Sequence, residues 1–161
     1  MYTCRDCISG GTRKPVAAPP ALPDVELGYC AGMLDGEGSV MLLSSRWLQV
    51  RIFNTHRPAL EWIRARLGGV VCLGHAPKKA NHRQGYFWVV SMRPAGPILR
   101  ILLPWLQIKR RHAEVALEFL DRLAVAKTIQ RDEAGRRRAV DDQILSGLAK
   151  ELRDLNKKGP R

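Results

Sequence analysis

The sequence predicts an α+β domain in which two β-hairpins alternate with helices, giving an antiparallel sheet covered by helices on one face. Three observations carry this. The stretch WLQVRIFN alternates strictly, with Leu48, Val50 and Ile52 on one side and Gln49 and Arg51 on the other, the period of a strand with one buried and one wet face. Apolar runs suited to strands come in two pairs, each separated by polar turn residues. Between and after those pairs the apolar spacing becomes helical, so the order is helix, hairpin, helix, hairpin, helices.

Each element follows from local chemistry. Asp24 is a suitable N-cap for a helix over residues 25–36, VELGYCAGMLDG. That helix stops at Gly36-Glu37-Gly38, where two glycines flank an acid. SVMLLSS and WLQVRIFN then form the first hairpin around Ser45-Arg46. RPALEWIRARL reads as a second helix, with Pro58 in its first turn and Gly68-Gly69 past its end. VVCLGH and YFWVVSMR, joined by the polar PKKANHRQG, form the second hairpin. A short helix over AGPILRILL precedes a longer one from Lys109 to Ala126. The last helix spans 132–155, with Ile144, Leu145, Leu148, Leu152 and Leu155 on one side. Residues 1–23 show neither period and end in the Pro/Ala-rich PVAAPPALP, so they read as a disordered tail or linker, and 24–161 as one domain.

Composition narrows the function. With 27 Lys and Arg against 15 acids, the formal net charge is +12. The excess is concentrated in residues 37–93, which hold 9 basic and 2 acidic residues. Such a surface suits nucleic acid or another anionic partner. The open sheet face adds Gln49 and Arg51, residue types that hydrogen-bond base edges in a major groove. Lys78, Lys79 and Arg83 in the second hairpin's turn suit phosphate contact. No apolar run is long enough to span a bilayer, and the polar N-terminus lacks a signal peptide's apolar stretch. Cys4, Cys7, Cys30 and Cys72 are too sparse for a disulfide scaffold, which points to an intracellular, non-secreted chain. Cys4 and Cys7 form half a zinc site with no second pair, and read as free thiols. His56, His75, His82 and His112 show no metal spacing. Trp47, Trp62, Trp88 and Trp105 read as core residues.

The block Cys30 to Gly38 carries the most specific signal. Gly28, Ala31, Gly32 and Asp35 fall on one side of the helix at spacings of three and four. A stripe of small residues lets two helices approach closely. Glu37 then follows at the helix end between glycines, so a tight helix pair would bring two carboxylates near a symmetry axis. The block resembles the LAGLIDADG motif of homing endonucleases. LPWLQIKRRHA, residues 103–113, resembles the family segment that supplies an active-site lysine. Phe53-Asn54-Thr55 followed by LEWIRARLGG resembles the end of the second strand and the helix after it. The matches run in family order over about residues 25–125.

This resemblance implies a LAGLIDADG-like αββαββα domain with a saddle-shaped antiparallel sheet, and a site-specific double-strand DNA endonuclease. It implies that Glu37 binds the catalytic metal, with the Gly36 carbonyl in the metal shell, and that Asp35 is more structural than catalytic. Lys109 becomes the active-site cation and Asn54 the polar pocket residue, with Arg57 a further DNA-contact candidate. The cofactor implied is Mg²⁺, with Mn²⁺ possible and Ca²⁺ in a non-cleaving complex. The motif helices, through Gly28, Ala31, Gly32 and Asp35, would form the dimer interface. Only one motif is present, because Leu145-Ser146-Gly147-Leu148 lacks the acid and the closing glycine. That implies a homodimer on a pseudo-palindromic duplex, with no membrane and no small-molecule substrate. An intron-RNA-binding maturase, or a non-cleaving DNA-binding protein of the same fold, are the alternatives.

Overall fold

The computed structural model describes residues 21–44, 47–74, 76, 81–128 and 139–157. The elements are α1 (Asp24–Glu37), β1 (Gly38–Ser44), β2 (Trp47–Asn54), α2 (Arg57–Leu67), β3 (Val70–Leu73), β4 (Tyr86–Ser91), α3 (Ala95–Leu102), a 3₁₀ turn (Leu103–Trp105), α4 (Arg110–Thr128) and α5 (Ala139–Leu155). The expected αββαββα order with further C-terminal helices is therefore present. The expected Ser45-Arg46 turn, Lys78 and Lys79, Cys4 and Cys7, His75 and the 132–138 portion of the last helix lie outside the described residues.

The four strands form one antiparallel sheet in the order β1-β2-β4-β3. Each hairpin keeps its own pairing, and the two hairpins join through β2 and β4. Val40 pairs with Val50, and Val50 with Val90, while Ile52 pairs with Trp88. These side chains share one face and are buried. Against that face lie Leu34 of α1, Leu60 and Ile63 of α2, Leu99 and Leu102 of α3, Phe119 of α4 and Leu152 of α5. Helices on one side only is the arrangement an alternating strand requires. Trp88 fills the middle, its indole N–H donating to the Gly68 carbonyl at 2.8 Å, which settles a buried polar atom.

Three local expectations change. Asp24 is the first helical residue rather than the N-cap; the chain enters from Pro23, whose carbonyl accepts from the amides of Glu26 and Leu27. Asp24 and Glu26 still complement the helix dipole in the first turn. Packing also begins before the expected domain start, because Leu22 lies against the core. Not all tryptophans are core: Trp88 is buried, but Trp105 is 37% exposed. It rests beside α1, with a ring carbon 3.8 Å from where a Gly28 Cβ would stand.

Cys30 is free and buried, whereas Cys72 is disulfide-bonded, a bond the sparse cysteines did not lead the sequence reading to expect. Among the described residues, no helix is long and apolar enough to cross a membrane.

Candidate active site

The site grows from the junction of α1 with β1. Glu37 closes the helix and is exposed. The two glycines beside it do different work. A Cβ on Gly38 would overlap the Leu34 carbonyl, while a Cβ on Gly36 would meet nothing within 4 Å. Gly38 thus permits the helix to run straight into a strand, its amide donating to Leu34. Gly36 keeps the surface beside Glu37 open. Gly38 pairs with Ile52, so the register sets Glu37 at the end of the sheet where β2 finishes in Phe53 and Asn54.

Asp35, two residues earlier, faces inward and is 9% exposed. Its Oδ2 accepts from the amides of Gln107 at 2.7 Å and Ile108 at 3.2 Å, and its Oδ1 from the amide of Lys109 at 2.8 Å. The Lys109 ammonium in turn donates to the Asp35 carbonyl. Two segments more than seventy residues apart are clamped together, and Lys109 is delivered to the end of α1. Burial acts to raise the Asp35 pKa, but those three amides and the Lys109 charge hold it below the usual carboxylate value. Asp35 therefore serves the chain's own interior, not the outer face of the helix.

Ala31 also points inward and is fully buried, and Gly28 is flanked by Trp105. The free side of α1 is instead Val25, Tyr29, Gly32 and Gly36, all exposed. The expected stripe of Gly28, Ala31, Gly32 and Asp35 is thus rotated: only Gly32 lies on the open side. Spacing alone could not tell which side of the helix the sheet would claim. On the flank opposite Trp105, Tyr29 meets Trp62 edge-on at 5.1 Å between ring centres. Behind it Arg66 grips Glu26 with two bonds of 2.8 and 2.9 Å and lies 3.5 Å over the Trp62 ring. This clamp fixes α1 to α2, and no local signal in the sequence marks residues forty apart as partners.

The remaining candidates divide. Asn54 ends β2 half-buried, its Oδ1 accepting from the His56 amide at 2.8 Å, an Asx turn that starts α2. Arg57 is exposed, paired with Glu61 at 3.1 Å and 5.6 Å from the centre of the Tyr86 ring. Arg83 is exposed. On the sheet's outer face, Arg51 donates from Nε to Ser39 Oγ at 3.1 Å and lies 5.2 Å from the Phe87 ring centre. Its planar head is held by these two neighbours. Gln49 is not the wet residue the alternation suggests. It is 8% exposed and its amide donates to Ser91 Oγ at 3.4 Å. Met41 and Ser91 stand opposite it on the two neighbouring strands, and a central-strand position loses its water to such neighbours.

No group of three or more His, Cys, Asp or Glu side chains is placed to hold a metal among the described residues. A metal at this site would have the Glu37 carboxylate and the helix-terminal Gly36 carbonyl, both oxygen donors, and would need further oxygens from elsewhere. That donor set suits a hard cation such as Mg²⁺, which takes few protein ligands beside phosphate and water. Cys30 does not compete as a nucleophile: burial pushes its thiol up to about 11.

Among solved structures, the chain is similar to the homing endonuclease I-CvuI in complex with the I-CreI target in the presence of Mg, at 22% identity and a TM-score of 0.63, over 85% of each chain. The fold is that of the homing endonucleases. I-CvuI with its own target in the presence of Ca gives 20% identity and 0.62 over 85% of each chain. An archaeal intron-encoded homing endonuclease, I-Vdi141I complexed with DNA, gives 22% and 0.63 over 86% of this chain and 88% of its own. The sequence matches no protein-family profile and no curated protein. In this fold α1 ends in the exposed Glu37, and the Lys109 ammonium reaches the carbonyl of Asp35 two residues before it.

Proposed function

We propose that the chain is a site-specific DNA endonuclease acting as a homodimer on a pseudo-palindromic duplex. The observation that carries this is the bond from the Lys109 ammonium to the Asp35 carbonyl, two residues before the exposed Glu37 that ends α1, in a fold whose similar structures are endonucleases bound to DNA. Glu37 with the Gly36 carbonyl would hold a divalent cation, which when bound polarises phosphate and lowers the pKa of water. The Lys109 ammonium gives one N–H to the Asp35 carbonyl and keeps others for a phosphate oxygen, where it stabilises charge developing on the phosphorus oxygens. Arg51 supplies direct readout and Arg83 phosphate contact from the second hairpin. Phe53, 39% exposed and 5.1 Å from Phe87, extends the outer face beside Arg51 with apolar surface suited to thymine methyl groups.

One Glu37 per chain faces one strand, so cutting both strands calls for a second copy. The open side of α1, with Val25, Tyr29, Gly32 and Gly36, is the face on which it would pair. The test is cleavage of a randomised duplex library with Mg²⁺. One enriched cut site is expected, and Glu37→Gln should bind that site without cutting it. A chain that cuts no duplex but accelerates intron splicing would replace this reading with that of a maturase.

A further inference from the structure

We propose that Asp35 is a positioning residue for Lys109, holding the lysine at both its ends. This rests on the reading of Lys109 as the site's functional cation. The segment 106–109 belongs to no helix or strand. Leu106 anchors it in the core, but Gln107 and Ile108 are exposed, Ile108 at 70%. Nothing apolar therefore fixes the stretch between Leu106 and the start of α4. Arg110 bonds back to the Leu106 and Pro104 carbonyls, but the amides of residues 107–109 themselves are fixed by one buried carboxylate, three in succession. The Lys109 carbonyl then accepts from the Ala113 amide at 3.0 Å, opening α4. At the other end of the same side chain, the ammonium meets the backbone carbonyl of Asp35 itself. One residue of α1 thus sets both the root and the tip of Lys109.

This also separates the motif's two acids by task. Both carboxylate oxygens of Asp35 are taken by N–H donors, while Glu37 is exposed at the helix end. Asn at position 35 would keep the size and one acceptor, but its NH₂ group would face an N–H donor. The lysine's root would loosen without loss of the surrounding packing.

The test is a double-mutant cycle on the full chain, using Asp35→Asn, Lys109→Met and the pair. Single-turnover cleavage of the selected duplex with Mg²⁺ gives the rate, and binding in Ca²⁺ gives the affinity. Asp35→Asn should slow cleavage by on the order of tens- to a hundredfold, as misplacement of a reacting group does, and leave DNA affinity unchanged. On the Lys109→Met background it should cost nothing more. Equal cost on both backgrounds overturns the proposal, since a merely structural cap weakens either chain alike. If Asp35→Asn does not fold, Asp35→Ser, which keeps one acceptor, replaces it in the same cycle. A second readout needs no cleavage: the NMR signal of the Lys109 ammonium, assigned by its absence in Lys109→Met. It should be ordered in the native chain and lost in Asp35→Asn. If the native chain cuts no duplex, the endonuclease reading falls, and this signal alone decides the positioning. Its persistence in Asp35→Asn overturns the proposal.

Discussion

Gly36-Glu37-Gly38 places an acid where a helix becomes a strand with no loop between. Such a junction requires the residue after the helix to pass against the last turn, and the absence of a Cβ at Gly38 is what allows it. Gly38→Ala should therefore cost about 1–3 kcal/mol, the range for forcing atoms into packed space, read as a lowered midpoint in urea with an unchanged slope. Gly36→Ala, in open space, should change the midpoint little. If the two variants unfold alike, the steric reading of this turn is wrong. The contrast matters because the same two glycines look equivalent in the sequence. Their different surroundings, Leu34 on one side and solvent on the other, come from the path of β1.

At the scale of elements, α1 has an inner side that the core claims and an open outer side. Its inner side, with Cys30, Ala31, Leu34 and Asp35, is used up by the chain's own core and by the lysine segment. Its outer side is left with Gly32 and Gly36 between Val25 and Tyr29, flanked by Trp105 and Trp62. Gly32→Leu adds bulk where nothing lies within 4 Å, so the single chain should fold with native melting behaviour. Sedimentation should show the dimer lost, and cleavage should fall with it. A dimeric Gly32→Leu with full activity would place the interface elsewhere. The sheet shows the same division of faces. Arg51 stays on the outer side with its head held by Ser39 and Phe87, while Gln49, one step along, is spent on Ser91.

Across the whole molecule, α5 closes the structure by packing on α4 and beside β1. Arg111 meets Glu151 at 2.6 Å, His112 Nε2 contacts the Leu155 carbonyl at 3.2 Å, and Asn156 donates to the Val40 carbonyl at 2.8 Å. With Nε2 committed, His112 Nδ1 is buried and has no partner among the described residues. Burial, with the Lys109 charge, holds the His112 pKa below 6.5, against the opposing pull of the Leu155 carbonyl and Asp35. The unfolded chain then binds the proton more readily than the folded one. This histidine's contribution to stability is present above pH 6.5 and lost as pH falls through the lower folded value. Melting temperatures from pH 8 to pH 5 should decline more steeply for the native chain than for His112→Gln. Coincident profiles would show that the ring is wetted rather than buried.

The sequence by itself determined the order of elements and the antiparallel sheet with helices on one face, and its motif resemblance nominated Glu37 and Lys109. These are legible because periodicity, glycine punctuation and motif chemistry are local. Tertiary structure alone decided which side of α1 is free, since a helix carries small residues on more than one side and only packing chooses among them. It alone showed that Gln49 is buried, that Asn54 makes a turn, and that Trp105 lies at the surface. Above all it joined Asp35 to residues 107–109, for a carboxylate and three amides find one another through the fold, and nothing local to either segment announces the other.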